Sequence, residues 1–199
     1  LHSRFRSHSW NMFLLGEARS DVFGGTPFGG EATQGMERFP YNTLNAENPG
    51  ISGFGDLYQN INQMNLFISR TLHADVLTES AKNYYLGQVY GLRAYYMYQL
   101  YRSWGDAVFT EEPSLGFEVG KLAKAATPAA EIFEQVKKDI ESSLSYFGPD
   151  YTIKEKKSLW SKAATLMLKA DVYLWSAHRD GGEGDARTAK NALVDIQNN

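Results

Sequence analysis

The sequence predicts an all-α protein built of stacked helix pairs, and three observations carry that expectation. Five segments after residue 52 place apolar residues at the three- and four-residue spacing of a helix face. No convincing strand, with its alternation of apolar and polar residues, falls between them. One of the five, residues 78 to 103, carries seven of the twelve tyrosines and is apolar around most of its circumference, so it is expected to be buried on most sides.

From Arg4 to Arg19, Phe5, Trp10, Phe13 and Leu14 suit a first helix. Residues 20 to 52 then bring Gly24, Gly25, Gly29, Gly30, Gly35 and Gly50 together with Pro27, Pro40 and Pro49, which excludes a long regular element. This glycine-rich loop still holds Phe23, Phe28, Phe39 and Tyr41, aromatics that a solvated linker lacks. A second helix, about 53 to 72, aligns Leu57, Ile61, Met64, Ile68 and Leu72, with Asn65 beside them as a buried, hydrogen-bonded amide.

In the tyrosine helix, Tyr85, Val89, Leu92, Tyr96 and Leu100 line one face and Leu86, Tyr90, Met97, Tyr101 and Trp104 the next. Gln88, Tyr95, Gln99 and Arg102 remain as a narrow polar stripe, and Gly87, Gly91 and Ala94 share an edge on which a neighbouring backbone is expected to lie close. Trp104-Gly105-Asp106 ends the helix, since Gly takes the left-handed cap conformation. A second loop, 107 to 126, leads to Thr127 as N-cap, Pro128 at the first helical position and Glu131 in the first turn. The helix they open carries Ile132, Phe133, Val136, Ile140, Leu144 and Phe147 on one stripe and stops at Gly148-Pro149. A fifth helix, about 158 to 178, is apolar on most sides through Trp160, Ala163, Met167, Ala170, Leu174 and Trp175; a sixth, from Asp185 to near Gln197, shows Ala189, Leu193 and Ile196.

Arg93 and Asp171 both fall within largely apolar faces. Buried charges need partners, so each is expected in a hydrogen-bonded structural network, with the other as one candidate partner.

A net charge of -3, 43% hydrophobic residues and 22% charged residues describe an ordinary globular composition without the basic excess that nucleic acid or an anionic membrane requires. With no cysteine there is no disulfide and no thiolate metal site. No run approaches about 18 apolar residues, so no membrane-spanning helix is expected. The chain starts at Leu1 with neither an initiator Met nor a signal segment, and reads as a processed or trimmed piece.

Leu92 to Tyr98 can be set over Leu168 to Leu174, each in a mostly buried helix followed by a Gly turn and an amphipathic partner. Small residues where helices cross, ringed by aromatics, are how tetratricopeptide-like pairs stack into a right-handed superhelix. Beyond the repeat, Tyr58-x-x-Ile61-x-x-x-Asn65-x-x-Ile68 is followed by Gly91-Leu92-Arg93-Ala94-Tyr95-Tyr96 and Arg102-Ser103-Trp104-Gly105-Asp106. Thr127-Pro128, Asp139-Ile140-Glu141 and Ala163-Ala164-x-x-Met167-Leu168-x-Ala170-x-Val172-Tyr173-Leu174 then come in order. In these segments, over about residues 50 to 197, the chain resembles the SusD/RagB family.

The resemblance implies a surface-exposed lipoprotein of the outer membrane of Bacteroidota-type Gram-negative bacteria. Such a protein captures glycans and delivers them to a SusC-like TonB-dependent transporter, without catalysis or cofactor. Family members are more than twice this long and begin at a lipidated cysteine, so membrane association is expected only through an anchor that this chain does not contain. Residues 1–199 are accordingly expected to form one N-terminal α-helical domain, with a loop region over 20–52 and a helix-repeat region over 53–199. Two other readings stay open. A helix-repeat scaffold would expose Tyr95, Gln99 and Arg102 to a protein segment, and an all-α hydrolase would depend on Glu31, Glu37 or Asp56.

Sugars present apolar C–H faces and hydroxyl rims, so a glycan site needs flat exposed aromatics beside short polar groups. Residues 20 to 58 have that composition. Phe23, Phe28, Phe39, Tyr41 and Phe54 are the candidate stacking rings, each of which would otherwise pin the loop by packing, and Asn42 and Asp56 are the candidate polar contacts. The tyrosines of the third helix read as core packing. No pair of carboxylates stands out for glycosidase chemistry. His2, His8, His73 and His178 lack metal-ligand spacing. Asp180 to Asp185 lacks the order of a calcium loop and reads as a turn with Asp185 capping the next helix, so no metal is expected.

Overall fold

A computed structural model describes residues 1–20, 22, 38–47, 49–50, 53–116 and 123–199. The chain divides into two compact units, Leu1–Asp56 and Leu57–Asn199, where the sequence suggests one domain with a loop-to-repeat boundary after residue 52. Among the described residues the regular elements are helices, and one isolated bridge pairs Ala107 with Thr127. None of the described helices is long and apolar enough to cross a membrane.

In the first unit the expected Arg4–Arg19 helix is instead two short ones, α1 (His2–Ser7) and α2 (Ser9–Leu15), followed by a 3-10 turn at Glu17–Arg19. The break falls at His8, whose φ of -87° and ψ of 1° leave the helical range. Leu14, Ala18 and Phe39 form a small core with Phe13 and Leu44 against it.

The second unit is organised by α3 (Gly55–Leu72), α4 (Glu79–Trp104), α5 (Ala129–Phe147), α6 (Lys162–Ser176) and α7 (Gly182–Asn198). α4 packs most extensively on α5 and α6 on α7, and α5 against α6 joins the two pairs. This is the tetratricopeptide-like arrangement that the repeat implies, with α4 and α6 as the corresponding first helices. α4 starts where Thr78 Oγ1 accepts from the Ala81 amide at 3.2 Å, and ends at Gly105, whose φ of 72° no side-chain-bearing residue adopts cheaply.

The interior of α4 is more deeply buried than its sequence suggests. Gln88 and Gln99, placed on a polar stripe by periodicity, are both buried, and Tyr95 packs toward Trp160 with ring centroids 6.1 Å apart. The stripe that a scaffold would offer to a peptide is thus mostly covered by the chain itself. At the other end of the helix Tyr85 stays 42% exposed. The small-residue edge is also used differently from expectation. Rings rather than a backbone lie against it: a Cβ on Gly87 would sit 3.0 Å from the Phe147 ring, and one on Gly91 would overlap Trp160 Nε1 and stand 2.8 Å from Thr165 Oγ1.

Those contacts belong to a buried hydrogen-bond chain through three helices. Trp160 Nε1 donates to Thr165 Oγ1 (2.8 Å), Thr165 and Ser143 hydroxyls pair at 2.8 Å, and Ser143 Oγ donates to the Gly87 carbonyl at 2.6 Å. With Ser143 committed to Gly87, the Thr165 hydroxyl must be the donor to Ser143, so each hydroxyl both gives and receives.

The start of α5 corrects the sequence reading. Thr127 does not cap it; Pro128 occupies the N-cap position and makes no side-chain bond. Asp106 Oδ1 accepts from the Ala129 amide at 2.8 Å instead. The Trp104-Gly105-Asp106 segment therefore closes one helix and caps the next. Asp106→Ala is expected to destabilise the fold by about 1 kcal/mol and Asp106→Asn by much less, read from thermal or urea unfolding.

α6 begins at Ser161, whose Oγ accepts from the Ala164 amide at 3.3 Å, and runs into a π-helical turn at Ala177–Gly181. Asp185 lies inside the first turn of α7 and is not its cap; Gly181 holds the N-cap position. Several apolar residues expected inside are exposed: Leu72 (44%), Met167 (56%) and Leu174 (52%).

Candidate functional site

Arg93 sits at the centre of the second unit, with its side chain 2% exposed. Its Nε and Nη2 donate to the two Asp139 carboxylate oxygens at 2.7 Å each, and Nη1 donates to Asn65 Oδ1 at 2.8 Å. Gln135 Nε2 is the third donor to this carboxylate, reaching Asp139 Oδ1 at 3.0 Å. The Tyr90 ring lies under the guanidinium at 5.2 Å. Burial pushes the Asp139 carboxyl above its ordinary value, against the Arg93 and Gln135 bonds that favour its ionised form. Burial alone would lower Arg93, but the Asp139 contacts outweigh it and hold the guanidinium above its usual value.

This centre ties α3, α4 and α5 together and extends to the loop after α4. Asn65 Nδ2 donates to the Thr110 carbonyl at 2.6 Å, and Asn62 pairs with both backbone groups of Ser114 at 3.2 and 2.7 Å. The Tyr58 phenol is hydrogen-bonded to the backbone of Val108. Tyr58, Asn62 and Asn65 share one face of α3 at spacings of four and three. That face straps residues 108 to 114 in place.

Asp171 does not join Arg93. Its side chain is 56% exposed and stands 3.6 Å from Arg102, so its assignment as a buried structural group is corrected. The physical reason is that α6 packs through Thr165, Leu166, Leu168, Ala170 and Val172, while Met167, Asp171 and Leu174 share its open face.

The seven ligand-contact candidates separate in the structure. Phe23 and Phe28 lie outside the described residues, as do the acids Glu31 and Glu37. Phe39 is buried at 4% in the small core of the first unit and is unavailable for stacking; packing is its role. Asn42 has φ 53° and accepts from Arg19 Nε at 3.1 Å, so its amide holds a turn. Tyr41 (47%) and Phe54 (48%) are half exposed, as is Trp10 (46%), which stacks on Phe13 with centroids 5.3 Å apart. Asp56 lies in the first turn of α3. The reading of residues 20 to 58 did not include Trp10, because its helix falls before that loop.

Among the described residues of the second unit, two clefts of molecular size bear on ligand binding. One, of about 680 Å³, lies between α3 and α4 and is lined chiefly by Leu66, Phe67, Leu77 and Tyr85. The other, of about 510 Å³, lies where the ends of α4, α5, α6 and α7 converge, and mixes aromatic with charged side chains. Among the described residues no group of three or more His, Cys, Asp or Glu is placed to hold a metal ion.

No family model matches the chain. Among solved structures, NanU of B. fragilis aligns with 100% of this chain and 39% of its own, at 51% identity and a TM-score of 0.89. A SusD superfamily protein from Bacteroides vulgatus ATCC 8482 aligns with 98% of this chain and 40% of its own, at 48% identity and a TM-score of 0.88. The chain is a SusD-like protein of the SusD/RagB family. A curated relative, SusD-like protein P38 of Formosa agariphila, is 32% identical over 113 residues, which are 55% of this chain and 20% of that protein. A laminarin-binding SusD-like protein, 20% identical with a TM-score of 0.74 over 94% of this chain and 40% of its own, shares the fold. This SusD-like chain thus spans about two fifths of the length of the solved relatives it matches.

The similarity to the first two structures takes in the first unit, including residues before 50 in which no motif was legible. Asp139 is legible in the sequence only as part of the Asp139-Ile140-Glu141 segment, and its role as the buried partner of Arg93 was missed. It lies seven residues after Ile132 and three after Val136, on the stripe that buries this helix, and a carboxylate there had to find a cation.

Proposed function

We propose that this SusD-like chain takes part in the non-catalytic capture of oligosaccharide at the outer-membrane surface. In this reading it belongs to a lipid-anchored protein that passes its ligand to a SusC-like TonB-dependent transporter. Membership of the SusD/RagB family supports it, as does the name of the laminarin-binding fold relative. The observation that carries the reading onto residues is the exposure of Tyr41 (47%) and Phe54 (48%), with Asp56 two positions beyond Phe54. Half-exposed rings suit the C–H face of a pyranose and a carboxylate its hydroxyl rim, and exposed rings cost free energy if nothing covers them.

Screening on an array of neutral and acidic oligosaccharides, followed by calorimetric titration of the best ligand, tests the reading. Replacing Tyr41 and Phe54 together by Ala is expected to weaken binding tenfold or more, about 1.4 kcal/mol, with little change in melting temperature. Affinity unchanged by the double replacement would remove these two rings from the site.

A further inference from the structure

We propose that the 510 Å³ cleft at the converging ends of α4, α5, α6 and α7 is a second subsite, shaped for one or two uncharged glycosyl units. The inference rests on the glycan-capture reading and adds a site built from residues other than Tyr41 and Phe54.

The volume lies within the range of about 300–1,000 Å³ common to small-molecule sites. Tyr101 and Phe133 supply its apolar surface, with ring centroids 4.8 Å apart and planes inclined by 34°, and Trp175 adds a third ring. Polar groups stand among them. Lys137 Nζ lies 4.9 Å from the Phe133 centroid and 3.1 Å from Glu134 Oε1, and the Arg179 guanidinium lies 5.8 Å from the Trp175 ring.

Charges of both signs line the cleft: Lys137 and Arg179 against Glu134, Asp180 and Asp185. No single-sign field favours an anion or a cation, whereas paired donors and acceptors around aromatic surface match a ring of hydroxyls. The Trp175 indole N–H is buried and has no acceptor among the described residues. A buried donor left unpaired is costly, and a turn of the indole toward the cleft would offer it a ligand hydroxyl as acceptor. The cleft between α3 and α4 differs in charge: beside the neutral Gln63, Thr71 and Tyr85, Arg70 is the one charged side chain among the described residues that line it.

The test is calorimetric titration of the best neutral oligosaccharide from the array into the unmodified chain, Trp175→Phe, the pair Glu134→Gln/Arg179→Ala, and Tyr41→Ala/Phe54→Ala. Trp175→Phe keeps an aromatic ring and removes the N–H; Glu134 and Arg179 are exposed, so their replacement leaves the fold intact. Both cleft variants are expected to weaken binding at least fivefold at unchanged melting temperature. Should Trp175→Phe melt early, the exposed pair decides. Affinities within twofold of the unmodified chain for the cleft variants, with a loss only in Tyr41→Ala/Phe54→Ala, would overturn the subsite and leave the capture reading standing. Failure of every neutral oligosaccharide to bind would overturn the subsite, and failure of the acidic ones as well would overturn the capture reading.

Discussion

Asp139→Ala is expected to destabilise the protein by about 3–5 kcal/mol, because it leaves the Arg93 guanidinium buried without its carboxylate. After the substitution Arg93 would keep Asn65 Oδ1 at 2.8 Å and a distant carboxylate, Glu111, at 3.7 Å. For a chain of this size the melting temperature should fall by roughly 10 °C. The partner experiment is Arg93→Met with Asp139→Leu. Removing both charges removes the desolvation cost as well as the attraction, so the double variant should recover most of the loss. The loop should respond too, since Asn65, which holds the Thr110 carbonyl at 2.6 Å, would then be bonded to an Arg93 side chain that Asp139 no longer fixes. Faster amide exchange over residues 108 to 114 is expected in Asp139→Ala. A loss of less than about 1 kcal/mol would show that the pair is not the structural centre described above.

The second large effect is Gly91→Ala, which on propensity alone should stabilise α4 by about 1 kcal/mol. The opposite is expected, a loss of about 3 kcal/mol. The new methyl group would overlap the Trp160 indole, a residue held in place by its bond to Thr165. Overpacking costs about 1–3 kcal/mol, and breaking the chain from Trp160 through Thr165 and Ser143 to Gly87 adds the cost of unpaired buried groups. Trp160→Phe removes the Nε1 atom that the methyl meets. Gly91→Ala/Trp160→Phe should therefore be less destabilised than the sum of the two single changes, as measured by a double-mutant cycle in urea.

Much of this architecture is legible in the sequence because it is local. Thr78, Gly105 and Gly148 mark helix ends by their own conformational preferences, and the four stripes built around Met64, Leu92, Val136 and Ala170 follow from spacing alone. What periodicity cannot supply is the identity of a partner. Arg93 is visibly misplaced on an apolar face, but its carboxylate lies 46 residues away on another helix. Apolar neighbours misled in the case of Asp171, since a stripe can remain open when no element covers it, as Met167 and Leu174 do. Helix α5 shows the same limit at a terminus: Thr127 has the right chemistry for a cap, yet Asp106 reaches the site from the preceding loop.

The candidate ligand residues were harder to read because composition alone does not separate a stacking ring from a packing ring. Phe39 and Tyr41 are two residues apart in one loop, and the structure buries the first at 4% and leaves the second 47% exposed. The cleft beside Trp175 left even less trace in the sequence, since its walls come from four helices whose ends meet only after folding.

The central claim is that these residues hold an oligosaccharide without altering it. Incubating the chain with the neutral oligosaccharide selected on the array, while recording both calorimetric heat and chromatographic products, tests that claim most directly. Saturable binding, weakened by Tyr41→Ala/Phe54→Ala and accompanied by intact oligosaccharide after prolonged incubation, is the predicted result. Release of shorter sugars in step with protein concentration, or the absence of saturable binding, would contradict it.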